Sequence, residues 1–193
     1  MTQPLNSTFE PGDDEKLTPV MIYTAHKLIW GKALSKQLIH VSYWLMSDMA
    51  PNYMTLVDAQ VLIFGAGQNT ATLKFPFLNI QTSQINAYHI LPPADESPYF
   101  GENEPNRKME PVMVLSSIFR FDASIRMATQ SNLYRFLNVT KEEFIPLFDI
   151  LMTSPVLPAI KGVKSPFALV RQSTAAFSCL LYTSDAADDY LTV

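Results

Sequence analysis

A self-similarity with a period near ninety residues constrains this chain more than any other feature of its sequence. Pro19-Val20-Met21 recurs as Pro111-Val112-Met113, 92 residues on, and Tyr53-Met54-Thr55-Leu56-Val57-Asp58 recurs as Phe144-Ile145-Pro146-Leu147-Phe148-Asp149, 91 residues on. Trp30 and Phe121, and Leu34 and Ile125, fall in the second frame, while Pro76-Phe77 and Ser83 recur as Pro166-Phe167 and Ser173 at an offset of 90. The matches keep their order and the offset drifts by single residues, as deletions in a duplicated segment would produce. A common template of apolar alternation without shared ancestry yields the same organisation. The expected layout is a flexible arm over residues 1–18, a first unit over 19–92, a connector over 93–110 and a second unit over 111–178. Domains of well under 100 residues hold little core, so the units are expected to pack on each other.

The connector, Pro92-Pro93-Ala94-Asp95-Glu96-Ser97-Pro98 and onward to Glu110, combines prolines that remove backbone donors with charges that resist burial. Within the first unit, Val20, Ile22, Thr24, His26, Leu28 and Trp30 alternate with a second set, the period of a strand, with Gly31-Lys32 as turn or bulge. The counterpart runs from Val112 through Phe121, turns near Asp122 and continues through Met127. Val41, Trp44, Leu45 and Met49 have helical spacing, closed by Pro51, and Leu133, Phe136 and Leu137 carry the same stripe with Ser131 or Asn132 as cap. Thr140-Lys141-Glu142-Glu143 has capping-box spacing and predicts a further short turn. Strands follow over 54–64, 71–78 and 85–91 in the first unit and over 144–152 and 163–170 in the second, with a last one starting at Ala175. The predicted fold class is α+β, mainly β: two tandem antiparallel sheets, each rolled or closed as a small barrel and covered by one helix.

From Cys179 the chain reads Cys-Leu-Leu-Tyr-Thr-Ser-Asp-Ala-Ala-Asp-Asp and ends at Val193. These eleven residues resemble the translated mosaic-end adaptor of transposon-based sequencing libraries. The resemblance implies that residues 179–193 are not native and that the natural second unit is truncated near Ser178. The tail holds the single cysteine, Asp185, Asp188 and Asp189 and no Lys or Arg, so without it the formal charge moves from −4 to −1. No cysteine then remains for nucleophilic or redox chemistry. No apolar run reaches the roughly 18 to 20 residues that span a bilayer, and the first residues lack the pattern of a secretion signal. A cytoplasmic protein is expected. The acidic balance argues against a broad nucleic-acid or anionic-membrane contact, which needs a basic face.

Candidate chemistry is sparse. Gly65-Ala66-Gly67-Gln68-Asn69-Thr70 imitates a dinucleotide-binding loop, but the third glycine is replaced by Thr70 and the following residues alternate as a strand. A hairpin turn is expected there, and no cofactor. His26, His40 and His89 are dispersed without short metal spacing, and no Gly-x-Ser-x-Gly elbow is present. Asp58 and Asp149 are equivalent across the repeat; such a pair could serve acid/base chemistry, and an Asp after an apolar run more often bonds local backbone. Arg107 and Lys108, with Tyr99 near in sequence, could receive an anionic ligand at an inter-unit cleft, or be a solvated linker. Arg120, Arg126 and Arg135 could form one basic patch.

The run Ile22-Tyr23-Thr24, Ile29-Trp30-Gly31, Trp44-Leu45 and Leu56-Val57-Asp58-Ala59-Gln60-Val61 resembles a group of small bacterial β-domain proteins of unknown function, here duplicated. The resemblance covers residues 19–91 and, more weakly, 111–177. It implies a bacterial, intracellular protein and no activity. The reading that follows is a non-catalytic binding or assembly module with a protein partner or self-association. A small-ligand or nucleotide-responsive regulator is the alternative and an enzyme of unknown reaction the third, since no nucleophile, base and orienting group can be named together.

Overall fold

The computed structural model describes residues 9–47, 49–64, 72–94, 106–158, 160 and 162–179. Strands β1 (Glu15–Tyr23) and β2 (Lys27–Lys36) form a hairpin in which Val20 and Ile22 are buried and Met21 is only half-buried, as a pleat with one covered face demands. The single strand expected from Val20 to Trp30 is thus bent at its middle. The bend is made by Thr24, whose hydroxyl accepts the backbone N–H of Lys27 at 3.0 Å while its own N–H donates to the Lys27 carbonyl at 2.9 Å. Gly31 instead sits at a bulge, where the pairing with the next strand slips between Trp30 and Lys32. Strand β1 also begins inside the arm that was expected to be flexible.

Helix α1 (Val41–Met46) follows and stops before Pro51 is reached, with the Ser47 hydroxyl donating to the Trp44 carbonyl. Strands β3 (Tyr53–Ile63), β4 (Thr72–Gln81) and, after a 3₁₀ turn at Thr82–Gln84, β5 (Ala87–Ile90) complete the first half. The second half repeats the succession: β6 (Arg107–Ser116), β7 (Phe119–Ala128), α2 (Leu133–Val139), β8 (Phe144–Thr153), β9 (Val163–Arg171), a 3₁₀ turn at Gln172–Thr174 and β10 (Ala175–Cys179). Asn132 caps α2, its Oδ1 accepting the Arg135 N–H at 2.9 Å. The turn of the second hairpin lies at Ser117, with φ of 54°, and the Asp122 position where a turn was expected is a bulge. The capping-box residues Thr140 to Glu143 form no helix and lead directly into β8. The connector is shorter than expected, because β6 starts at Arg107.

The ten strands among the described residues belong to one open antiparallel sheet in the order β10-β6-β7-β8-β9-β5-β1-β2-β3-β4. The mainly β expectation therefore holds, but the described strands form one continuous sheet and not two. Register corrects the sequence alignment at one place. Val20 faces Gly31 and Val112 faces Ala123, so β2 and β7 are related by 92 residues: Trp30 corresponds to Asp122 and Leu34 to Arg126, not to Phe121 and Ile125. A slip of one residue moves a strand's side chains to the other face, and burial agrees with the corrected frame: Ile29 and Phe121 are both buried.

Two hydrophobic clusters lie on this sheet. One gathers Val20, Ile22, Ile29, Leu56 and Ile85 with Val41 and Leu45 of α1; the other gathers Val114, Phe121, Ile125, Leu147 and Met152 with Leu133 of α2. Each also takes residues from the opposite half. Phe144, Phe167 and Leu169 complete the first cluster, and Tyr23, Leu28, Phe64 and Ala87 complete the second.

Candidate functional site: the joint between the halves

The two halves of the sheet meet where β9 pairs with β5, Val170 opposite Ala87 and Leu169 opposite Tyr88. Two residue pairs are a short seam, and Arg171 reinforces it at the end of β9. Its backbone N–H donates to the Asn86 carbonyl at 2.7 Å, Nε to Ile85 O at 2.7 Å and Nη2 to Thr82 O at 2.7 Å, all three acceptors in the first half. The remaining nitrogen, Nη1, pairs with Glu143, and the guanidinium lies 4.5 Å over the Phe144 ring. Arg171 is 4% exposed. Burial lowers its pKa, yet a guanidinium stays charged in proteins and the fork of donors is filled by acceptors placed for it.

A cleft of about 710 Å³ opens beside this joint, lined by the end of α1, the loop to Pro51, the Thr82 turn, Lys141, Glu142, Glu143 and Arg171. Its size suits a small ligand. Its charges do not select an anion, because Glu142 and Glu143 offset Lys141 and the Arg171 side chain is committed to carbonyls and to Glu143.

Arg107 and Lys108, the expected anion contacts, open strand β6 and do not line this cleft; Lys108 pairs with Glu110 at 2.8 Å. Tyr99 and the Gly65 to Thr70 segment lie outside the described residues. That segment joins antiparallel partners, Leu62 facing Thr72, and β4 rather than a helix follows it. Asp58 and Asp149 both have positive φ, 53° and 51°, at the equivalent bulges of β3 and β8. Asp58 reaches Lys32 at 2.9 Å across solvent. The geometry accounts for both acids through the backbone: a short polar side chain tolerates the left-handed conformation that the extra residue of a bulge requires. Arg120 pairs with Asp122 at 2.8 Å, Arg126 lies further along β7 and Arg135 lies in α2.

The histidines are not brought together. His26 is exposed in the β1–β2 turn, and His40 precedes α1, its ring 5.8 Å from that of Tyr43. His89 is buried in β5, where Nδ1 lies 3.3 Å from the Tyr23 hydroxyl and Nε2 has no hydrogen-bond partner among the described residues. Burial pushes the His89 pKa down to about 4 and pushes the Tyr23 phenol up. A neutral imidazole beside a neutral phenol is a packed polar pair in the core. Among the described residues no three His, Cys, Asp or Glu side chains gather as a metal site would need, and no helix is long and apolar enough to cross a membrane. Cys179 is exposed, at the end of β10 opposite Val112.

Sequence reasoning missed Arg171. The available signal was a cation directly after Ala168-Leu169-Val170, a run apolar enough to be buried on both faces. No family model, no curated protein and no solved structure matches the chain.

Proposed function

We propose that the chain is a non-catalytic assembly module made of two tandem β units, each completing its core with residues of a neighbouring unit. The joint between β9 and β5 carries this reading. It is a unit-to-unit contact with a buried charged anchor, and the side chains it covers are large and apolar on both sides, the composition of a permanent interface. The repeated succession of strands, helix and 3₁₀ turn supports the tandem arrangement, and the self-similarity at offsets of 92 to 90 supports a duplication. A small intracellular bacterial protein would fit the same reading.

A second reading, a regulator binding a small ligand, is favoured by the cleft beside Arg171. The two separate in one measurement on the full chain carrying Cys179→Ser, which removes the exposed thiol. Light scattering gives the molar mass, and melting temperatures are taken against a panel of nucleotides and small metabolites. An oligomer whose melting temperature is indifferent to the panel is expected. A monomer stabilised by one of those compounds overturns the assembly reading in favour of the regulator.

A further inference from the structure

Among the described residues the ten-stranded sheet ends in β4 at one edge and β10 at the other. These edges are not arbitrary. β9 holds in the second half the place that β4 holds in the first: Lys74-Phe75-Pro76-Phe77 parallels Lys164-Ser165-Pro166-Phe167, and Val57 faces Phe77 as Phe148 faces Phe167. β10 likewise holds the place of β5, with Met113 facing Ser178 as Met21 faces His89. The two outer edges are therefore the two halves of the joint that the chain has already made once inside itself.

Exposure follows this equivalence. Phe144 and Phe167, covered by the first half, are 1% and 4% exposed, while their counterparts Tyr53 and Phe77 are 57% and 48% exposed. At the other end Tyr23 is 1% exposed and its counterpart Leu115 is 46% exposed. Pro76 does not block the edge. The internal seam uses Leu169 and Val170, beyond Pro166, and the corresponding Asn79 and Ile80 lie equally beyond Pro76. The anchor differs: Gln81 and Asn52 stand where Arg171 and Glu143 stand in the second half. Two amides replace an ion pair, so this contact is weaker than the internal one.

We propose that β4 of one chain pairs antiparallel with β10 of a second copy, Ile80 opposite Ala176 and Asn79 opposite Phe177, extending the sheet head to tail. The contact is heterologous, so the rotation fixed at each joint decides between a closed ring and an open filament. The proposal rests on the assembly reading and specifies its interface.

The test uses full chains carrying Cys179→Ser and a single new cysteine, Asn79→Cys in one and Phe177→Cys in the other. Directly opposed residues of an antiparallel pair bring Cβ atoms within disulfide reach. Mild oxidation of the mixture is expected to give a covalent dimer, and each variant oxidised alone to stay single. Dimers from either variant alone overturn the proposal in favour of a symmetric edge. An oligomeric parent whose mixed variants do not cross-link overturns the joint while sparing the assembly reading, and a monomeric parent overturns both. Asn79→Asp, an exposed edge substitution, gives a second measurement without oxidation. Loss of the oligomer with the β-sheet circular-dichroism spectrum retained is expected, and an oligomer that persists unweakened overturns the register.

Discussion

Asp58 and Asp149, 91 residues apart, share one left-handed backbone conformation, φ of 53° and 51°, each at the bulge of the third strand of its half. The residue type follows from the backbone and not from the carboxylate. Asn, equally at ease at positive φ, should therefore replace either Asp with stability changed by under about 0.5 kcal/mol. Val should cost about 1 to 2 kcal/mol, because a β-branched side chain clashes in that region. Denaturant melts of the four single variants check this, and a large loss in the Asn variants would return a chemical role to the acids. The exposed Lys32 contact adds little.

Across that bulge, a Cβ placed on Gly31 would lie 3.1 Å from both Ala59 Cα and Val57 O. The second half carries Ala123 at the corresponding position, 8% exposed, so the geometry can open enough for one methyl. Gly31→Ala is expected to cost about 1 kcal/mol and Gly31→Val clearly more, as backbone must move rather than a side-chain tip. Chemical denaturation midpoints of the two variants decide it.

Removing the Arg171 side chain should be the most damaging single change at the joint. Arg171→Ala leaves the buried carbonyls of Thr82 and Ile85 without donors and uncovers Phe144, a loss of about 2 to 4 kcal/mol. Lys should not rescue it, since one ammonium cannot reach both carbonyls as a planar fork does. Glu143→Gln should cost under about 1 kcal/mol, because Glu143 is 61% exposed. Equilibrium unfolding of the three variants is the measurement.

Acid should weaken the fold through His89. Its pKa falls from 6.5 to about 4 on folding, so the folded chain binds fewer protons than the unfolded one. The stabilisation is complete above about 6.5 and is lost progressively as pH falls toward 4, about 3 kcal/mol in all. A His89→Phe variant should unfold with a flatter profile over that window. An unchanged slope would place the pH dependence elsewhere.

What was legible in the sequence was local. The apolar runs over 54–64 and 144–152 predict β3 and β8, and the place of Ser131 and Asn132 before Leu133 predicts a cap that Asn132 supplies, because both signals lie within a few residues. The hairpin turns were displaced because Thr24 and Ser117 carry them without glycine, proline or asparagine, one through its hydroxyl and the other through positive φ. The joint was invisible for a different reason. Arg171 acts on carbonyls 86 and 89 residues away, and nothing in the pattern of either strand says which edge the other will meet. Arg107 and Lys108 suggest an anion site only from a place in the connector, and the connector ends before them, at the start of β6.

The exchange of core residues between the halves ties their fates together. With Tyr23 and Phe64 filling the second cluster and Phe144 and Phe167 filling the first, neither half can melt without opening a hole in the other. Cutting the chain in its connector would therefore release not two smaller proteins but two incomplete ones, each with an apolar face shaped for its lost companion. The smallest unit able to keep a fold is the pair, because each half holds part of the other's interior.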